Sequence, residues 1–229
     1  MYIKYKELID KFALEVKGIL HVGAHHAEEM KDYTRNGCDR NNIIWIEGNK
    51  SLSDRLKSRG VPNVLNYIVS DKSENVTFNI ANNGQSSSIL ELEEHKKLYP
   101  HISYHRKRQV NSHRIDEIYK IENLSEDSAN FLNLDIQGAE LLALKGMGKI
   151  LNEFDYIYTE VNKVHIYKDC CLIEELDEFL LEFGFKRVLT HWSKGVRHEG
   201  LVPSEDLEVP AQKYGWYGHG WGDAFYIKS

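Results

Sequence analysis

The segment 131–146, Phe-Leu-Asn-Leu-Asp-Ile-Gln-Gly-Ala-Glu-Leu-Leu-Ala-Leu-Lys-Gly, narrows the choice of fold more than any other part of the chain. Its first four residues read as a short apolar strand that stops on Asp135. A tight turn through Gly138 follows, then a helix with leucines on one face. Polar groups at the carboxyl end of a buried strand are where open α/β sheets hold their ligands. Asp135 and Gln137 are candidates to face a ligand there. Gly138 and Glu140 are better suited to shaping the turn, Glu140 by bonding the amides of its own helix entry.

The rest of the chain repeats this strand-and-helix alternation. Residues 2–16 carry Leu8, Phe12 and Val16 at helical spacing, which predicts an N-terminal helix within 1–17, ended by Gly18. Residues 19–22 read as a buried strand, then Gly23-Ala24-His25-His26-Ala27 as a turn into a helix reaching about Asn36. A strand, small-residue turn and helix present backbone N–H groups to a nucleotide-like ligand. A single glycine here is not a dinucleotide fingerprint. The strand 43–46 ends on Glu47, an acid suited to both hydroxyls of a ribose; its plain alternative is a helix-entry acid ahead of Asn49 and Ser51.

Residues 63–69 predict a third strand ending at Ser70-Asp71, and 76–80 a small edge strand. The polar loop 82–88 is rich in donors and acceptors, Ser87 and Ser88 among them. A helix over 91–99, a strand near 109–112 and a short helix from Arg114 come next. The strand 156–161 carries Glu160 near its end, with Asn162 and His165 just beyond. An amphipathic helix over 171–183, a strand over 185–189 ending near His191, and a last strand over 224–227 complete the pattern. Alternation throughout predicts one doubly wound α/β domain over 1–229.

Composition removes several function classes. A net charge of −6 argues against the broad basic surface of a non-specific nucleic-acid binder, and Arg106-Lys107-Arg108 is the only dense basic run. Three cysteines, two of them adjacent, give no disulfide framework and no zinc spacing. The charged N-terminus is unlike a signal peptide, and no apolar run reaches membrane-spanning length. A soluble, cytoplasmic protein is expected, with a homo-oligomer left open.

Three acids, Glu47, Asp135 and Glu160, thus end three strands beside a glycine turn. That pattern resembles the class I S-adenosylmethionine-dependent methyltransferases, and more closely the FkbM family. The resemblance lies in Leu20-His-Val-Gly-Ala-His25, Trp45-Ile-Glu47, Val69-Ser70-Asp71, Ser86-Ser-Ser-Ile89, Arg114-Ile-Asp116, the block from Leu134 to Gly146, and Trp221-Gly-Asp-Ala-Phe-Tyr-Ile227. It implies a seven-stranded, mostly parallel sheet of order 3-2-1-4-5-7-6 with strand 7 antiparallel and helices on both faces. It also implies S-adenosylmethionine as cofactor and O-methylation of a hydroxyl, on a sugar, nucleotide sugar or glycan. The chain departs from the family at Ala27, where a second glycine is usual, and at His21, where an acid is frequent.

On that reading Gly23 and Ala24, with His21 and His25 beside them, approach the methionine part of the cofactor. Glu47 takes the ribose, Ser70 and Asp71 flank the adenine, and Asp135 with Gln137 lies near the amino group or the reacting centre. An alcohol is a poor nucleophile, so a general base is expected. Asp135 is placed first for it, with Glu160 and His165 as partners or substrate holders. Acceptor contacts fall to Ser87, Ser88, Asn162 and His191, and to Trp216 and His219 in the aromatic, glycine-rich segment within 190–222. No metal site is marked by spacing. An RNA or protein methyltransferase and a non-catalytic scaffold on the same fold are the alternatives.

Overall fold

The structure is a computed structural model, and residues 3–193 and 220–229 are described. Its elements run α1 (Tyr5–Phe12), β1 (Ile19–Val22), α2 (Met30–Arg35), β2 (Ile43–Ile46), α3 (Lys50–Ser58), β3 (Val64–Leu65), β4 (Ile68–Val69), β5 (Asn75–Ala81), α4 (His95–Leu98) and β6 (Tyr104–His113). They continue with α5 (Ile115–Ile121), β7 (Phe131–Leu134), α6 (Glu140–Met147), β8 (Tyr156–Asn162), α7 (Ile173–Glu182), β9 (Phe185–Trp192) and β10 (Trp221–Lys228).

Seven strands form one sheet in the order β3-β2-β1-β7-β8-β10-β9. The first five pair in parallel, and β10 runs antiparallel to both β8 and β9. The strands are buried on both faces, which is why β1, β2 and β7 read as continuous apolar runs rather than alternating ones. Successive side chains still point to opposite sides. Leu20, Val22, Ile44, Ile46, Leu132 and Leu134 pack under α5, α6 and α7. Ile19, Ile43, Trp45 and Phe131 pack under α1, α2 and α3. Each fully buried aliphatic side chain contributes roughly 1.5–3 kcal/mol, so these two layers fix the register and bring the carboxyl ends of β1, β2, β7 and β8 to one edge.

The strand order departs from 3-2-1-4-5-7-6 when every strand is counted, because β4, β5 and β6 leave the large sheet and form a second, three-stranded one in the order β4-β6-β5. That sheet was not expected. The third strand, predicted as 63–69, breaks after Leu65: the Asn66 amide donates to the carbonyls of Glu47 (2.7 Å) and Gly48 (3.3 Å), and β4 turns away to pair with β6. The strand expected near 109–112 is a ten-residue strand, β6, antiparallel to β5. The helix predicted over 91–99 shrinks to α4, because the chain before it pairs instead with residues 165–167 through Leu92–Tyr167 and the Glu93 and His95 amides. The N-terminal helix ends early at Ala13, which takes a left-handed conformation at φ 49°. Among the described residues, no helix is long and apolar enough to cross a membrane.

Candidate active site

The turn after β1 hangs between its two neighbours. The amides of Gly23 and Ala24 both donate to the Ile46 carbonyl at the end of β2 (2.9 and 3.1 Å). Gly23 has φ 94°, and a Cβ there would stand 1.9 Å from the Asp135 carbonyl at the end of β7, so only glycine fits. His25 and Ala27 also lie in left-handed conformations, at φ 44° and 54°. At Ala27 an L-residue thus holds a backbone angle that glycine takes more readily.

Glu47 is buried, and its two oxygens accept the amides of His25 and Asn49, each at 2.7 Å. It therefore does what a helix-entry acid does. An ionised carboxylate has about four acceptor sites, so two amides leave two, one for each hydroxyl of a ribose. Burial pushes its carboxyl up to about 7 against the pull of these amides and of His25.

Inside the 135–140 motif the labour divides. Glu140 is fully buried and its Oε1 accepts the amides of Ile136 (3.0 Å) and Gly138 (3.2 Å), the turn's own donors. Gln137 sits at φ 59°, and every polar atom of its side chain is engaged. Its Nε2 donates to Asp135 (2.8 Å) and Glu160 (2.9 Å), while its Oε1 accepts the Tyr167 hydroxyl (2.6 Å). The Tyr167 bond settles which end of the amide faces the two carboxylates. Burial, with Glu140 and Asp135 adding like charge, raises the Glu160 carboxyl well above the usual range.

Two cavities meet over these strand ends. The smaller, about 70 Å³, is lined by Glu47, Tyr67, Ile68, Phe78, Ser88 and Ile89 among others. The larger, about 510 Å³, is lined by Glu28, Glu29, His95, Tyr99, Tyr167 and Trp221 among others. Gly23, His25, Gln85, Asp135 and Gln137 border both. An elongated ligand laid across that border would touch all five. Glu28, Glu29, Asp135, Glu160 and Asp223 make the larger cavity strongly acidic, which suits the sulfonium and ammonium groups of a cationic methyl donor.

His21 lies at the end of β1 on the floor of the larger cavity. Its Nδ1 is 3.1 Å from the Tyr33 hydroxyl, which also accepts the Asn133 amide (2.6 Å), and its ring lies 4.8 Å from that of Trp45. Burial lowers its pKa, so it is a neutral floor residue. The carboxylates that act on it are Glu29, Asp135 and Glu28. Burial opposes ionisation of Glu28, but its bonds to His25 (2.7 Å) and to backbone amides outweigh this and hold the carboxyl near 2.

Several expected site residues lie elsewhere. Ser70 and Asp71 line neither cavity, because the break after Leu65 puts Tyr67, Ile68 and Val69 in the wall expected of them. Ser70 instead packs its carbonyl on α6, 2.3 Å from where a Cβ on Gly146 would be. His165 is exposed, outside the cavities, with Nδ1 2.9 Å from the Cys170 carbonyl. His191 is exposed on β9 and also outside them. Ser87 and Ser88 border the smaller cavity, not the acceptor side; Ser88 Oγ donates to the Gln137 carbonyl (2.8 Å) and pins the polar loop onto the motif. Asn162 is buried at the end of β8, its side-chain amide without a hydrogen-bond partner among the described residues. Trp216 and His219 fall outside the described residues.

Sequence reading did not single out Glu28, Glu29, Tyr167 or Asp223 as site residues. Asp223 stands opposite Glu160 in the β8–β10 ladder and accepts the Tyr158 hydroxyl. The strand order implied by the family resemblance already set the closing strand beside β8, but the closing strand was read as 224–227, whereas β10 begins at Trp221 and so includes Asp223.

An acid-ended parallel sheet with an antiparallel edge pair, a glycine turn and an acidic double cavity has the layout of an S-adenosylmethionine-dependent methyltransferase. Residues 21–187 match the family model described as the methyltransferase FkbM domain, and the chain belongs to that family. S-adenosylmethionine is the cofactor of this class. No curated protein matches the sequence. Among solved structures, the chain is similar to methyltransferase FkbM from Methylobacillus flagellatus KT (14% identity, 92% of this chain, 43% of that one, TM-score 0.48). It is also similar to a SAM-dependent methyltransferase from Archaeoglobus fulgidus (13%, 97% and 92%, 0.49) and to a putative tRNA (m1A22) methyltransferase from Streptococcus pneumoniae (12%, 100% and 71%, 0.47). The chain spans 43% of the length of the Methylobacillus protein.

Proposed function

We propose that the protein is an O-methyltransferase that moves the methyl group of S-adenosylmethionine to a hydroxyl of a sugar or glycan. The observation that carries this reading is Asp135: an exposed carboxylate on the border of both cavities, held by the Gln137 amide, where donor and acceptor would meet. When bound, the cofactor supplies an electrophilic methyl group on a sulfonium.

Gly23, Ala24 and His25 border its methionine part, with Glu28 and Glu29 near the ammonium. Glu47 takes the ribose hydroxyls, and Tyr67, Ile68 and Ile89 wall the adenine. Asp135 orients the acceptor hydroxyl and takes its proton; alignment of the reacting atoms supplies much of the rate. Glu160 accepts the other hydrogen of the Gln137 amide (2.9 Å) and so fixes the side chain that holds Asp135. Glu28, Glu29, Asp135 and Asp223 in the larger cavity support an acceptor without a phosphate backbone, since like charge repels a polyphosphate.

The test is incubation with S-adenosylmethionine and a panel of free sugars, nucleotide sugars and glycans, locating any added methyl by mass spectrometry and NMR. A methyl ether on a sugar oxygen is expected. Transfer only to nitrogen, or only to RNA or protein, contradicts the proposal.

A further inference from the structure

The larger cavity is longer than the strand-end acids need. Beyond Gln137 its wall is made by three stretches distant in sequence: His95 and Tyr99 on and after α4, Tyr167 after β8, and Trp221 at the start of β10. The indole N–H of Trp221 donates to the Tyr99 hydroxyl (3.2 Å), and the His95 ring lies 5.0 Å from that of Tyr99 and 5.5 Å from that of Tyr167. These contacts hold four rings together as one wall. Tyr167 joins it to the chemistry, because its hydroxyl bonds the same Gln137 amide that holds Asp135. A molecule on this wall is therefore one side chain away from Asp135.

His95 supplies a second, independent observation. It is 5% exposed, it lines the cavity, and its Nδ1 has no hydrogen-bond partner among the described residues. The Nδ1 is enclosed within the wall, so the protein commits no partner to that edge of the ring among the described residues while the ring itself lines the cavity. Pockets that bind small molecules combine aromatic faces with a few placed polar atoms, and aromatic rings with polar edges suit a ligand that is apolar on its faces and hydroxylated at its rim. A pyranose ring has that character.

We propose that the His95, Tyr99, Tyr167 and Trp221 wall is the acceptor subsite, taking one sugar ring against the aromatic side chains with a hydroxyl on His95. This rests on the sugar O-methyltransferase reading and adds where the sugar sits. It moves the acceptor away from His191 and onto α4 and the chain after β8.

The test is saturation-transfer NMR on the protein loaded with S-adenosylhomocysteine, using the methyl glycosides of glucose, galactose, mannose, fucose and rhamnose as probes. At least one glycoside should receive saturation in the wild type. Its affinity should fall by about tenfold or more in Trp221→Ala and in Tyr99→Ala, with the S-adenosylhomocysteine Kd unchanged within about twofold. Two variants on different elements guard against one that fails to fold. Glycoside binding untouched by either variant overturns the subsite, as does loss of S-adenosylhomocysteine affinity in step with the glycoside. No glycoside signal from a protein that binds S-adenosylhomocysteine also overturns it. A wild type that binds no S-adenosylhomocysteine defeats the methyltransferase reading instead.

Discussion

Replacing Glu140 by glutamine and by alanine separates the turn-building part of the central motif from its chemistry. The Glu140 side chain is fully buried, with Oε1 accepting two turn amides and Oε2 left without a partner among the described residues. Glutamine keeps the accepting oxygen and the volume. Alanine strands the amides of Ile136 and Gly138, and each unsatisfied buried donor costs about 1–3 kcal/mol. Alanine should therefore lose about 3–5 kcal/mol, a large part of the 5–15 kcal/mol typical of a domain. The pH dependence adds a second, opposite signature. Burial, with Asp135 adding like charge, pushes the Glu140 carboxyl up to about 7 in the folded protein, against an ordinary value of 4.5. Between these values the folded state holds a proton that the unfolded chain has released, so this group's contribution to stability declines as pH rises and is level above about 7. At about 1.4 kcal/mol per tenfold change in proton binding, the decline is about 3 kcal/mol. Glutamine does not titrate. Urea unfolding at pH 5, 6, 7 and 8 should show glutamine and wild type alike at pH 5 and glutamine increasingly the more stable towards pH 8, with alanine the least stable at pH 5. A glutamine variant as damaged as alanine at pH 5 would show that charge, not the accepting oxygen, holds the turn. A difference that shrinks with rising pH would refute the burial argument.

Two further substitutions test other parts of the site. Ala27→Gly relieves a left-handed residue at φ 54°, which costs an L-residue about 1–2 kcal/mol; after the added freedom of the unfolded chain, about 1 kcal/mol of stabilisation should remain, read as a Tm higher by about 2–4 °C. A lower Tm would mean that the alanine methyl packs more usefully than its backbone is strained. Asp135→Asn keeps the shape but cannot take a proton at neutral pH, so turnover with a sugar acceptor should fall by about 10²–10⁴ while donor affinity stays within a few fold; near-normal turnover would place the base elsewhere.

What the sequence made legible was local. Strand ends and their acids follow from short apolar runs and the residues that stop them, so Glu47, Asp135 and Glu160 could be named, and the turn-building role of Glu140 could be read from its spacing to Gly138. What depended on contacts between distant side chains was not legible. Tyr167 reaches Gln137 across 30 residues of chain, and Asp223 faces Glu160 across the β8–β10 ladder, although the strand order implied by the family resemblance already set those two strands side by side. Ser70 and Asp71 missed the site because a single bend at Asn66, bonded to the carbonyls after β2, sends the chain into a second sheet that no periodicity announces. His165 looked well placed after β8, but its ring bonds the Cys170 carbonyl and stays outside the cavities.

The donor site carries the methyltransferase reading most directly, and isothermal titration with S-adenosylhomocysteine tests it. The wild type should bind one equivalent per chain. Glu47→Ala, shown folded by circular dichroism, should bind about tenfold to a hundredfold more weakly, because hydrogen bonds to a charged acceptor contribute about 1.5–3 kcal/mol. Wild-type protein that binds no S-adenosylhomocysteine, or a Glu47→Ala protein that binds it as tightly as the wild type, would contradict the account.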